Sequence, residues 1–133
     1  MKKVLLFSNY REIFEITYKI TRENYNLEWC TYDLLEDNKY SIPDVVIMHF
    51  DRKMPERGVF KFLVKVKERL GNMIPILALI ENGTKQDIFS ILKAGAYDYL
   101  ENVRNLQEYR KKIEEIILWQ WYLEKYCSKN CDD

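Results

Sequence analysis

Asp51-Arg52-Lys53-Met54-Pro55 follows directly on the apolar run Val45-Val46-Ile47-Met48-His49-Phe50. This order places a carboxylate at the C-terminal end of a strand, ahead of a Pro-containing loop. In open parallel α/β sheets, ligand and reaction sites form along that edge. What such a carboxylate can do depends on the partners that the other strand ends supply, and the chain supplies few. His49 is the single histidine, and it reads as a core or rim residue. No second histidine or carboxylate cluster is placed to build a zinc site around it. A Ser-His-Asp or Cys-His arrangement that this histidine would serve is also missing. The four glycines are scattered singly, so there is no phosphate-cradling loop. Cys127 and Cys131 lie one helical turn apart, spaced to share a metal across a dimer or to form an intermolecular disulfide, with plain thiols as the simpler reading. Asp51 has a bland alternative too, as a turn carboxylate or a partner for Arg52 or Lys53.

The chain of 133 residues fits one domain, 1–133, long enough to bury a proper core. Its 21 basic and 21 acidic residues cancel, so no global field favours nucleic acid or an anionic membrane. After Lys2-Lys3 only Val4 to Phe7 are apolar, too short a run for a signal-peptide core. No stretch approaches the ~18 apolar residues of a membrane span. Three irregularly spaced cysteines suit a reducing compartment, and the expected location is the cytoplasm.

The elements that must position Asp51 alternate in type. Lys3 to Phe7 reads as a buried strand, followed by a helix over 10–24 with Ile13, Ile16, Thr17 and Ile20 inward. Leu27 to Tyr32 is a second strand, and 33–41 holds at most two helical turns. Val45 to Phe50, apolar on both faces, suits a central strand covered on both sides. Val59, Leu63, Val66 and Leu70 mark a helix whose Lys61, Lys65, Lys67 and Arg69 form a solvated face. Ile76 to Ile80 is a buried strand. Thr84 and Asp87 then form a capping box, with Ile88, Ile91 and Leu92 inward and Gly95 as the left-handed cap. Tyr97 to Leu100 is a short last strand. Asn105 with Glu108 caps a long helix reaching about Lys129. Five such strands alternating with helices predict a three-layer, doubly wound, five-stranded parallel sheet with a long C-terminal helix.

Several pieces, in this order and spacing, resemble the receiver domain of bacterial response regulators (CheY-like, flavodoxin-like fold). They are Lys3-Val4-Leu5-Leu6-Phe7, Pro43-Asp44-Val45-Val46, Asp51-x-x-Met54-Pro55, Pro75-Ile76-Leu77 and Ala94-Gly95-Ala96-Tyr97-Asp98-Tyr99-Leu100. The resemblance covers nearly the whole chain. It implies a two-component (phosphorelay) role in which a histidine kinase phosphorylates one Asp with the help of Mg²⁺. Counting back from Met54-Pro55, that residue is Asp51; counting forward from Pro43-Asp44, the position falls on His49. The two differ by one strand period and project from the same sheet face.

The remaining machinery departs from the family. Two acids normally follow the first strand, and here they are Ser8 and Asn9. Asn9 with Glu12 three residues on also reads as a capping box for the first helix. The hydroxyl residue ending the fourth strand is Ile80. The lysine ending the fifth is Asn102, followed by Val103 in place of proline. Only the switch aromatic, Tyr99, is kept. These losses imply a degenerate, pseudo-receiver type with weak or no Mg²⁺ binding, no cofactor and no enzymatic activity beyond accepting a phosphoryl group at most. The alternative is a working receiver phosphorylated on Asp51.

The last helix departs from ordinary amphipathicity. Ile113, Ile116 and Ile117 face inward, but Leu118, Trp119, Trp121, Tyr122, Leu123 and Tyr126 cover nearly the full circumference. Trp119 and Trp121 lie about 200° apart on the wheel. An all-round apolar helix must be covered on more than one side. The extension 118–133 is therefore expected to meet a protein partner, a histidine kinase or output protein, or a second copy of the chain. Folding back on its own domain is the alternative.

Overall fold

The computed structural model describes residues 1–35, 41–51 and 56–131, with the side chains of 56–60 and 127–131 outside that description. The Met54-Pro55 loop, the side chain of Val59 and the two C-terminal thiols therefore lie outside the described residues. The order of elements is β1 Lys2–Phe7, α1 Arg11–Thr21, β2 Tyr25–Cys30, a 3-10 turn Tyr32–Leu34, β3 Val45–Phe50, α2 Glu56–Leu70, β4 Ile76–Ile80, α3 Lys85–Lys93, β5 Asp98–Leu100 and α4 Leu106–Cys131. The five strands form one parallel sheet in the order β2-β1-β3-β4-β5. This order reverses direction at β1/β3, and the strand ends there form the switch-point crevice of doubly wound sheets.

Period-two alternation in the central strands divides the core into two layers. Leu5, Phe7, Val46, Met48, Phe50, Ile76, Ala78 and Ile80 pack against Leu63 and Val66 of α2 and Ile91 of α3. Val4, Leu6, Val45, Ile47, Leu77 and Leu79 pack against Ile13 and Ile20 of α1 and Tyr109, Ile113 and Ile116 of α4. All of β3 and β4 is buried, as their continuous apolar runs require. In the second layer, the buried Tyr109 hydroxyl lies 2.7 Å from Thr17 Oγ1, which donates to Ile13 O at 2.8 Å. That bond joins α4 to α1.

The capping box at Thr84 and Asp87 is present in both directions. Asn105 Oδ1 accepts from Glu108 N–H at 3.1 Å, opening α4. Gly95 has φ of +118°, the left-handed conformation that closes α3. The inward stripe of α3 is narrower than its periodicity predicts, because Leu92 is exposed. A helix of only nine residues turns a single narrow face to the sheet.

Candidate functional site

The end of β1 is buried and bonded on every side. Ser8 is fully buried, its N–H donates to Cys30 O at 3.1 Å, and its carbonyl accepts from Trp29 Nε1 at 2.8 Å. Ser8 Oγ accepts from Tyr10 N–H at 3.1 Å, a side-chain turn that starts α1. The helix therefore begins after Tyr10, which makes no side-chain cap bond. The expected Asn9–Glu12 capping box is not formed. Asn9 Oδ1 instead accepts from Tyr32 N–H at 3.0 Å and ties the β1–α1 loop to the turn after β2. The long-range donor outcompetes the local one because Tyr32 needs a partner where β2 stops pairing.

His49 continues the Val45–Ile47 face of β3 and is buried. Its Nδ1 lies 3.1 Å from Ser8 Oγ, and its Nε2 lies 3.4 Å from Glu81 Oε2. The Tyr10 ring meets the imidazole edge-on at 5.6 Å between centroids. Ser8, His49 and Glu81 thus stand together, although His49 Nε2 makes no hydrogen bond to the Glu81 carboxylate. Ser8 Oγ is buried and already bonded to the Tyr10 backbone, which makes it a structural partner for the imidazole.

Asp51 follows β3 directly and lines an open pocket of about 320 Å³ with Tyr10, Glu12, Ile13, His49, Glu81 and Asn82. His49 and Asp51 therefore do share one side of the sheet, and both candidates for the acceptor position reach one pocket. A hydrogen bond from the Tyr10 phenol to the Asp51 carboxylate raises the phenol pKa, with partial desolvation and the charges of Asp51 and Glu81 adding to the effect. Tyr32 lies beneath, its hydroxyl donating to His49 O at 2.8 Å. Burial first, and then the Asp51 charge, push its phenol well above the ordinary range.

The other expected site residues go elsewhere. Ile80 is a core residue paired with Phe50 in the sheet register and does not line the pocket. Gly83 closes over it: a Cβ there would fall 2.3 Å from Ile80 Cγ2. Tyr99 is half-buried against the α2–α3 layer, and with Asn102 it lines a separate polar hollow beside Asp98, Glu108 and Lys112. Asn102 is exposed and its Oδ1 accepts from Arg104 N–H at 3.1 Å, a local turn. Val103 is buried beneath it. On α4, Leu118, Trp119, Trp121, Tyr122, Leu123 and Tyr126 are between 44% and 57% exposed, while Gln120 Nε2 donates to Met73 O at 2.9 Å and ties the start of the extension to the domain.

The two site residues that sequence reasoning missed are Tyr10 and Glu81. Glu81 had a readable signal. It follows β4 as Asp51 follows β3, and the Phe50–Ile80 register sets the two side by side. Tyr10 had none, because its part follows from where α1 begins. The donors at the acid-pair positions are an amide and a hydroxyl already engaged with Tyr32 and Tyr10, and they do not fit the Mg²⁺ site that the resemblance implies. Among the described residues, no three His, Cys, Asp or Glu side chains stand together as a preformed metal site. Among them, too, no helix is long and apolar enough to cross a membrane.

Comparison with known proteins places the architecture. No protein-family model matches the chain. The chain is 29% identical over 87 residues to a chemotaxis protein CheY homolog of Campylobacter jejuni strain 81-176, and equally to that of strain NCTC 11168. The match covers 65% of this chain and 64% of each relative, so the chain spans less than two thirds of the curated proteins it matches. A response regulator receiver domain protein from Clostridium thermocellum superposes with a TM-score of 0.73 at 20% identity, over 92% of this chain and 99% of that one. A two-component response regulator from Clostridium difficile gives 0.68 at 17% identity, over 88% and 96%. The chain has the receiver-type, flavodoxin-like fold, with a long C-terminal helix.

Proposed function

We propose that the chain is a receiver-like signalling domain of a two-component phosphorelay that acts by binding protein partners, without conventional Mg²⁺-dependent phosphorylation. One observation carries the reading. Ser8 and Asn9, standing where the family holds its acid pair, are both committed to structural hydrogen bonds. A carboxylate attacking a phosphoryl group brings two anions together, and a cation with ligands of matching charge must offset this. Ser8 and Asn9 remove two formal charges from that site, Ile80 removes a donor and Asn102 a cation. Each such group typically contributes orders of magnitude to the transferring step.

Leu118, Trp119, Trp121, Tyr122 and Tyr126 support contact with a protein, since aromatic patches of this size mark partner surfaces. A kinase, an output protein or a second copy fits this chemistry, in the cytoplasm of a bacterium. The neutral charge argues against nucleic acid.

A second reading rests on Asp51 itself. It stands at the C-terminal end of β3, open to a pocket, where the family places its phosphoacceptor. In that reading a histidine kinase phosphorylates Asp51. Incubation with a small phosphodonor and Mg²⁺, wild type beside Asp51→Asn, separates the two: an Asp51-dependent mass gain belongs only to the second.

A further inference from the structure

The packing of α4 changes at Gln120. Up to that point one stripe of the helix is buried: Tyr109, Ile113 and Ile116 face the sheet, and Gln120 Nε2 donates to Met73 O at 2.9 Å. Met73 stands just before β4, at the edge where the strands begin. From Trp121 to Tyr126 every residue is exposed, yet the helix continues to Cys131. A helix end without tertiary packing is marginal in water, because an apolar face that packs supplies most helical stability.

A second apolar stripe runs along this end. Leu118, Tyr122 and Tyr126 follow one another at steps of four residues, half-exposed, and the last two rings stack at 5.8 Å between centroids. At about 100° per residue, this stripe lies roughly 150° round the helix from Tyr109, Ile113 and Ile116, out of reach of the chain's own domain. It is also symmetric in kind about Tyr122. Four residues to either side stand Leu118 and Tyr126; seven residues to either side the sequence carries Glu115 and Lys129, of opposite charge. A two-fold interface requires position i to meet j and j to meet i. An antiparallel copy of the helix centred on Tyr122 meets that requirement, apolar against apolar in the middle and acid against base at each end. A foreign partner requires no such symmetry.

We propose that α4 pairs antiparallel with α4 of a second copy of this chain, through the Leu118–Tyr122–Tyr126 stripe, with the two-fold axis at Tyr122. Leu118 and Trp119 then pack against Tyr126 of the second copy, and Glu115 falls opposite sequence position 129. Apolar residues at steps of three and four are the usual seam of paired helices. The inference rests on the reading of α4 as a protein-binding face and names the protein that it binds.

The test is sedimentation equilibrium of the full chain, without phosphodonor and with a reductant that keeps the cysteines as thiols. The expected result is a monomer–dimer equilibrium in the micromolar range. Tyr122→Glu sets two carboxylates at the axis and weakens association at least about a hundredfold. Glu115→Lys places like charges at both ends of the seam and weakens it about tenfold. Glu115→Lys/Lys129→Glu restores the wild-type affinity, which a parallel pair or an unspecific apolar contact does not do. All of these positions are exposed or lie beyond the core, and far-UV circular dichroism confirms that each variant is folded. A monomer at every concentration overturns the pairing, as does association that ignores Tyr122→Glu or a double exchange that fails to rescue. Phosphorylation of Asp51 would contradict the proposed function and is read in a separate experiment, so the two failures are distinguishable.

Discussion

Ser8 Oγ and His49 Nδ1 meet at 3.1 Å across the ends of β1 and β3, both side chains buried. The position to which the receiver resemblance assigns an acid is here part of the internal hydrogen bonding. Ser8→Ala removes the partner of the imidazole and of Tyr10 N–H together. A buried polar group left without its bond costs about 1–3 kcal/mol. Urea unfolding is expected to show a lower midpoint at an unchanged slope. A midpoint equal to wild type would mean that water replaces the hydroxyl without loss.

Gly83 approaches Ile80 so closely that any Cβ must displace the isoleucine. Gly83→Ala is expected to cost about 1–3 kcal/mol through this overpacking. The paired variant Gly83→Ala/Ile80→Leu, which removes the Cγ2 branch that the new Cβ would meet, should recover part of the loss. Thermal unfolding of the two variants measures it, and equal midpoints in both would show that the contact is not the cause.

Two buried phenols set an alkaline limit. Burial holds the Tyr109 phenol well above the ordinary tyrosine range, with the Thr17 hydrogen bond opposing that rise only in part, and burial acts the same way on Tyr32. A folded-state pKa above the unfolded value leaves stability unaffected below about pH 10. Above it the unfolded chain ionises first, and stability falls by up to about 1.4 kcal/mol per pH unit for each phenol. Tyr109→Phe should therefore flatten the decline between pH 10 and 12 while costing about 1 kcal/mol at neutral pH. Denaturation curves across that range test both parts, and a decline as steep as wild type would assign it to other groups.

The fold was legible because the strands are continuous apolar runs bounded by Pro43, Pro75 and polar turns, and such runs have few alternatives. Val45–Phe50 and Ile76–Ile80 fall on the strands that their sequence predicts. The strand ends were harder to read. Leu27 to Tyr32 is shifted by two residues against the observed Tyr25–Cys30, because pairing with β1 sets the register and apolar content does not. Asn9 misled because a cap signal is local, whereas its bond to Tyr32 joins segments distant in sequence. His49 and Asp51 line one pocket, since one strand period separates residues that point the same way. Glu81 entered that pocket through sheet register, a property of strand pairs that no single segment carries.

The exposed aromatic stretch of α4 gives a fourth expectation. Trp121 is 45% exposed, with Lys125 Nζ 4.9 Å from its ring centre. If this face meets a second copy, light scattering will show a mass that rises with concentration, and Trp121→Glu will return it to the monomer. A monomer at every concentration in both proteins assigns the face to a different protein.

The central claim concerns Asp51. Its most direct test is mass spectrometry of the intact chain after incubation with acetyl phosphate and Mg²⁺, with Asp51→Asn alongside and beryllium fluoride binding as an independent check. The account predicts no phosphoryl adduct above the Asp51→Asn background and no spectral response to beryllium fluoride. A phosphoryl mass gain on the wild type that the Asp51→Asn chain lacks would contradict it.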